Sequence, residues 1–364
     1  MQGDDRDDDK SASGVAATSE DAAARRVVSR LGWGARADEI ERFEAGGHDS
    51  ETRIAAWLER QLGNPAASDP AAEQAVARVD AVLAAGSFGV RRRAELRVLA
   101  RRVHTDRPLV ERLVAMLHEL VAAWRPLAPA RFAARDARLR AALARPLGDL
   151  LAAELPADRV AAARAQLPRQ LVMQLVGSAD PRLLAVAEDA LADASLADGV
   201  RALALDPAFV APGRAPLPPL DVAITALRLF EVDMARLVES AADALVVRLE
   251  ALGQPVLADA AAPLRAARPR IWGTTRSRAA GWGFGTWLMT VESTVGRPLV
   301  DAAAVVAGPP SIGAIVDGWS RRLLGRVVDD EARRSLLALG AAGTRKRLAD
   351  VVAALWTSPA LHTR

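Results

Sequence analysis

The run Pro108–Trp124, PLVERLVAMLHELVAAW, decides the fold. Proline has no N–H to lose at the first helical position, so Pro108 reads as a helix start. Beyond it Leu109, Leu113, Met116, Leu117, Leu120 and Trp124 recur at helical spacing on one side. The rest of the chain agrees. It has 364 residues, 51% hydrophobic and 26% charged, a globular rather than disordered composition. Ala and Leu, which head the helix-propensity scale, dominate it. Aromatic residues make up 4%, tyrosine is absent, and strand-favouring residues are mostly Val. The expected fold is all-α, a multi-helix globular bundle.

Helical punctuation recurs on both sides of that run. Residues 1–18 are polar, charged and small, and are expected to form a disordered acidic tail. Order is expected from Ser19, through a helix carrying Val27 and Val28 that stops near Gly32. A short helix over Asp38–Ala45 ends at Gly46-Gly47, and the next opens at Ser50 with Ile54, Trp57, Leu58 and Leu62 on one face. Asp69-Pro70 pairs an N-cap with a proline at the first helical position, leading to a stop at Gly86. Asp180-Pro181, Asp206-Pro207 and Asp329-Asp330 mark later starts. APGRAPLPPL, 211–220, is an extended connector and the best internal boundary. Apolar helices flank it without a polar linker, so residues 19–364 are expected to be a single helical domain with a possible hinge there.

Charge balance excludes several function classes. The chain carries 48 basic and 45 acidic residues, a net charge of +3, yet its pI is near 10.2. Lys10 and Lys346 are the only lysines, and no Tyr or Cys titrates at alkaline pH. The high pI therefore follows from residue choice, and long-range attraction to polyanions is weak at neutral pH. Without cysteine there is no disulfide, thiolate nucleophile or Cys-based metal centre. MQGDDRDDDK is acidic where a secretory signal is basic, and no apolar stretch follows it. No run approaches the roughly 18 apolar residues of a membrane span. As written the chain is expected to be cytoplasmic, whereas a start codon further upstream would allow export.

Polar candidates are few. His118 lies next to Glu119 and two turns after Glu111, and on a helical wheel it falls roughly 140° from the centre of the apolar stripe, beside Glu111. A His–carboxylate pair there could serve as a general base or a lone metal ligand; a solvated pair on an exposed helix face is the bland alternative, and the more expected one. His48 and His104 sit beside capping residues, and His362 is near the C-terminus. Arg91, Arg92 and Arg93, continued by Arg97, Arg101 and Arg102, form a basic helical stripe that could meet phosphate but is more readily solvated or paired with nearby acids. Nucleic acid is thus an unlikely partner. No acidic cluster has metal-loop spacing, so neither metal nor cofactor is expected.

The other candidate is RPRIWGTTRSRAAGWGFGTWLM, Arg268–Met289, with three of the eight tryptophans, four arginines and four glycines. Glycine makes a poor helix interior, so the segment is expected to be irregular and exposed. Trp and Arg are the usual anchors of binding surfaces. Trp272, Arg276, Arg278 and Trp282 are the candidate binding residues. Packing of these tryptophans in the core, with the glycines permitting close helix approach, is the competing reading.

Several segments, in order, resemble a bacterial domain-of-unknown-function family numbered eighteen hundred. RRVVSRLGWGARADEIERF, residues 25–43, is similar to its opening helix, Gly-aromatic-Gly turn and second helix. AAWLERQL, 55–62, resembles the W-L-x-x-Q-L element, and LRAALARPLGDLLAAEL, 139–155, the helix ending in D-L-L. ALALDPAFVAPGRAPLPPLDVAITALRLF, 202–230, LEALGQPVLAD, 249–259, and VVAALWTSPALHTR, 351–364, are similar to later elements, with the Trp/Arg/Gly segment in the place of the family's W-x-N-T region. Two departures matter. Met116-Leu117-His118-Glu119-Leu120 stands where the family carries aromatic-Trp-His-x-His, and the central N-E-N-Y-A-R-E-L segment is missing after Leu155. The resemblance implies a shortened member that has lost much of its family's polar motifs, hence a non-catalytic helical interaction or accessory protein. It also implies a protein partner, with a phosphatase/sulfatase-like protein encoded nearby as the candidate. The alternative is a hydrolase-like enzyme using His118 with Glu111 or Glu119.

Overall fold

A computed structural model describes residues 27–28, 30–34, 36–125, 128–210, 219–252, 256–257, 275–301, 311–324, 327–341 and 345–358. Residues 1–18, Ser19 and the connector at 211–218 lie outside them. The described residues form seventeen α-helices and one short 3-10 turn, with no strand. The fold is all-α. In chain order the helices are α1 (Ala37–Glu44), α2 (Ser50–Leu62), α3 (Pro70–Ala85), α4 (Val90–His104), α5 (Pro108–Ala122), α6 (Phe132–Ala142), α7 (Leu147–Glu154), α8 (Ala157–Val176) and α9 (Pro181–Ala190). They continue with α10 (Leu196–Leu205), α11 (Pro207–Val210), α12 (Pro219–Leu229), α13 (Met234–Ala251), α14 (Thr275–Thr290), α15 (Ile312–Leu324), α16 (Asp330–Gly340) and α17 (Arg345–Trp356).

The starts follow their caps. Asp49 accepts from the Thr52 amide at 2.7 Å, Asp69 from Ala72 at 3.1 Å, and Asp329 from Ala332 at 2.8 Å. Each bond satisfies an amide that has no partner within its own helix. Pro70, Pro108, Pro181 and Pro207 each stand at the first position of their helix.

Two apolar clusters result. One gathers α2 and α5–α10 with Val27, Val28, Phe43 and Phe209. The other gathers α12–α17 around Phe230, Trp319 and Trp356, and draws in α3, α4 and Trp33 from the first half of the chain. Side chains on either side of the connector thus enter different clusters, while α3 and α4 tie the first half of the chain to the second cluster.

Buried arginines stitch the seam. Arg228 of α12 is 1% exposed and donates to the carbonyls of Arg102, Val103 and Thr105 at 3.0–3.1 Å, closing the C-terminus of α4, and pairs with Glu39 of α1. Arg112 of α5 donates to the Gly32 carbonyl at 2.8 Å and the Asp221 carboxylate at 3.0 Å. Asp221 in turn accepts from the Trp33 indole at 2.8 Å. A cation at a helix C-terminus meets both the unpaired carbonyls and the negative end of the helix dipole.

From Thr275 onward the Gly/Trp/Arg stretch is regular helix rather than irregular chain. Packing against α17 outweighs glycine's poor helix propensity. A Cβ on Gly285 would lie 3.0 Å from the Trp356 ring and 3.5 Å from the Ala353 backbone, so the missing side chain permits the close approach. A Cβ on Gly283 would meet only the Arg248 guanidinium, at 3.9 Å. The two glycines should therefore respond oppositely. Gly283→Ala is expected to gain about 0.5–1 kcal/mol from helix propensity, and Gly285→Val to lose about 1–3 kcal/mol through overpacking. Chemical denaturation of both variants checks the pair.

Candidate functional site

The α5 helix is enclosed on nearly every side, packing against α2, α4, α6 and α8. This corrects the view of His118 as part of an exposed face. His118 is buried, 5% exposed, with its ring stacked on Phe132 at 4.3 Å between centroids. The face opposite the apolar stripe meets other helices instead of water, so its polar groups need protein partners.

Those partners come mainly from α6 and α4. His118 Nε2 is 3.1 Å from Asp136 Oδ1, so neither Glu111 nor Glu119 is its hydrogen-bond partner. Asp136 also accepts from Arg140 at 2.8 Å. Arg140 reaches on to both oxygens of the buried Glu111 at 2.5 and 2.7 Å, and Glu111 accepts from Arg101 at 2.9 Å. A chain of charges thus runs His118–Asp136–Arg140–Glu111–Arg101. Burial works to raise the Asp136 carboxyl, but the His118 hydrogen bond and the Arg140 guanidinium together hold it well below the usual carboxylate range. Burial lowers the His118 pKa against the opposing pull of Asp136. Asp136 and Arg140, one turn apart with opposite charge, were visible as a helical ion pair; their convergence on His118 and Glu111 depends on how α6 packs.

Glu119 looks the other way, toward the seam. It accepts from the Gln174 amide at 3.1 Å. Burial, reinforced by the charge of Asp221, pushes its carboxyl up to about 7 despite Arg102 and Arg112.

Beside the His118 network a cleft of about 770 Å³ opens between α3, α4, α5 and α6. Arg93, Arg97, Arg101, Arg102 and Arg140 line it, against Glu73, Glu111 and Asp136. Val76, Val90, Val98, Val114 and Phe132, with several alanines, make up its apolar wall. His118 is not on that wall. Most of the stripe on α4 is paired: Arg91 and Arg92 with Glu95, Arg97 with Asp80, Arg101 with Glu111, while Arg93 donates to the Phe88 carbonyl at 2.9 Å. Among the described residues no His, Cys, Asp and Glu group could hold a metal ion, and no helix is long and apolar enough to cross a membrane.

Of the candidate binding residues, Trp282 is described, on α14 and 36% exposed. Trp287, on the same helix, is half-buried against the second cluster and under the Arg248 guanidinium, 5.2 Å from its ring centroid. Trp272 and the side chains of Arg276 and Arg278 lie outside the described residues.

Residues 26–153 match the model of a family described as a protein of unknown function (DUF1800). The chain resembles this family over a stretch that holds the His118 network and the entire cleft. The likenesses at 202–230, 249–259 and 351–364 lie beyond the matched residues. No curated protein and no solved structure matches the chain.

The raised Glu119 carboxyl sets a pH dependence. Between the ordinary value of 4.5 and about 7 the folded chain holds a proton that the unfolded chain has released. The stability owed to this group therefore falls as pH rises through that window. Glu119→Gln should remove the loss, so the variant's melting temperature should gain on the wild type from about pH 4.5 to about pH 7 and then hold level. A difference that stays flat across the window would show that Glu119 titrates normally. The comparison with wild type is needed because His118, whose pKa is lowered, contributes a slope of opposite sign.

Proposed function

We propose that this chain is a non-catalytic helical accessory protein that acts by binding a partner protein. The observation that carries this reading is the closed run of partners from His118 to Arg101. Each carboxylate in it is held by a guanidinium, and its imidazole is buried, of lowered basicity and away from the cleft wall. General-base catalysis requires a group that can reach a substrate and exchange a proton with it. The departures from the resembled family at Met116–Leu120 and after Leu155 point the same way. The partner surface we favour is the exposed side of α14 around Trp282, with Trp272, Arg276 and Arg278 as the neighbouring candidates in the sequence. The resemblance makes a phosphatase/sulfatase-like protein encoded nearby the first partner to try.

The hydrolase reading keeps one observation in its favour: the 3.1 Å His118–Asp136 contact has the geometry of a base and its orienting acid. One set of variants separates the two readings. Co-expressed with the phosphatase/sulfatase-like protein, the full chain is expected to co-elute in a stoichiometric complex that a Trp282→Ala/Trp272→Ala variant loses. His118→Ala should keep the complex while losing about 1–3 kcal/mol of stability, because it empties a buried stacked site. Ester or phosphoester hydrolysis by the wild type that vanishes in a folded His118→Ala would overturn the accessory reading.

A further inference from the structure

One charge in the cleft is left without a partner. Arg102 is 7% exposed and lines the cavity, yet its guanidinium makes no hydrogen bond or ion pair with any described residue, its backbone carbonyl alone being taken by Arg228. Its guanidinium lies 5.6 Å from the Trp33 ring centroid, and Glu111, Glu119, Asp221 and Asp136 act on it only through longer-range charge. Glu111 and Asp136 have their oxygens engaged by Arg101 and Arg140 instead. A guanidinium carries five N–H donors in a planar fork suited to a carboxylate or phosphate. None of the Arg102 nitrogens is among the side-chain atoms sealed from solvent without a partner, so the fork is open to the cleft, where a ligand's oxygen atoms can take the place of water.

The cavity around that charge fits such a ligand. Its volume of about 770 Å³ lies within the range of small-molecule sites. Its five arginines exceed its three carboxylates, so the lining favours an anion. Much of the remaining wall is Val, Ala and Phe, which suits an apolar body rather than a bare ion.

We propose that this cleft is a binding site for a small organic anion, one carboxylate or phosphate head held by Arg102 with a compact apolar body along the alanine and valine wall. The site is separate from α14 and does not depend on how that helix meets a partner. Titration calorimetry on the full chain tests it with octanoate, octyl phosphate, octanol, octylamine and inorganic phosphate. Octanoate and octyl phosphate are expected to bind saturably at one per chain, at least tenfold tighter than the other three. The stronger of the two identifies the head group as carboxylate or phosphate. Arg102→Met should weaken the octyl anions at least tenfold while leaving octanol unchanged. Ala137 lies exposed on the cleft wall, so Ala137→Trp should block the apolar part at unchanged melting temperature. Octanol binding as tightly as octanoate, inorganic phosphate matching octyl phosphate, or undiminished affinity in a folded Arg102→Met would each overturn the proposal. Should Arg102→Met fail to fold, the probe series and Ala137→Trp decide alone.

Discussion

Two buried guanidiniums closing helix ends are the constraint on which the rest of this structure hangs. Arg228 seals the last carbonyls of α4, and Arg112 takes the Gly32 carbonyl beyond the helical residues near Val28. Each also joins a carboxylate on another element, Glu39 for Arg228 and Asp221 for Arg112. A helix can end inside a protein only if its terminal carbonyls find donors, and at this seam arginine supplies them. Removing either side chain would strand carbonyls and a buried carboxylate together, which makes the seam specific as well as cohesive. The apolar clusters on either side provide the bulk of the burial, and the arginines fix how the helices of one meet those of the other.

That role gives the unusual basic composition a physical meaning. Lysine would bring three donors from a strongly hydrated point charge, whereas arginine spreads five over a weakly hydrated plane. Arg140 uses this fork to hold Asp136 and both oxygens of Glu111 at once. With 48 basic residues of which Lys10 and Lys346 are the only lysines, the chain is suited to interior ion pairing. The pI near 10.2 is then a by-product of internal chemistry, in keeping with the pairing of most of the α4 stripe.

Where the sequence was legible, local physics carried the message. The Asp-Pro starts at 69–70, 180–181 and 206–207 and the stop near Gly86 were readable because caps and prolines act within one helical turn. The burial of His118 was not readable. A helical wheel finds the apolar stripe of α5 but cannot reveal that α6 and α4 cover the opposite face with charges of their own. The helix through Gly281, Gly283 and Gly285 failed to declare itself for a similar reason: what favours it is the nearness of Trp356 and Ala353, some seventy residues later in the sequence. Glu111 and His118 belong to one buried polar network, but the link between them runs through Asp136 and Arg140, which only the packing brings together.

An interior that pairs most of its charges is informative where it leaves one unpaired. Along α4, α5 and α6 the carboxylates Glu95, Glu111 and Asp136 all meet cations at short range. The Arg102 guanidinium, beside that network and lining the cleft, meets no carboxylate at such range among the described residues. Sequences usually satisfy every level of structure except where function asks for an exception. A closed lattice would add rigidity but offer a ligand nothing to hold. Leaving one guanidinium fork open toward an apolar-walled cleft gives up an internal ion pair and keeps five donors for a ligand.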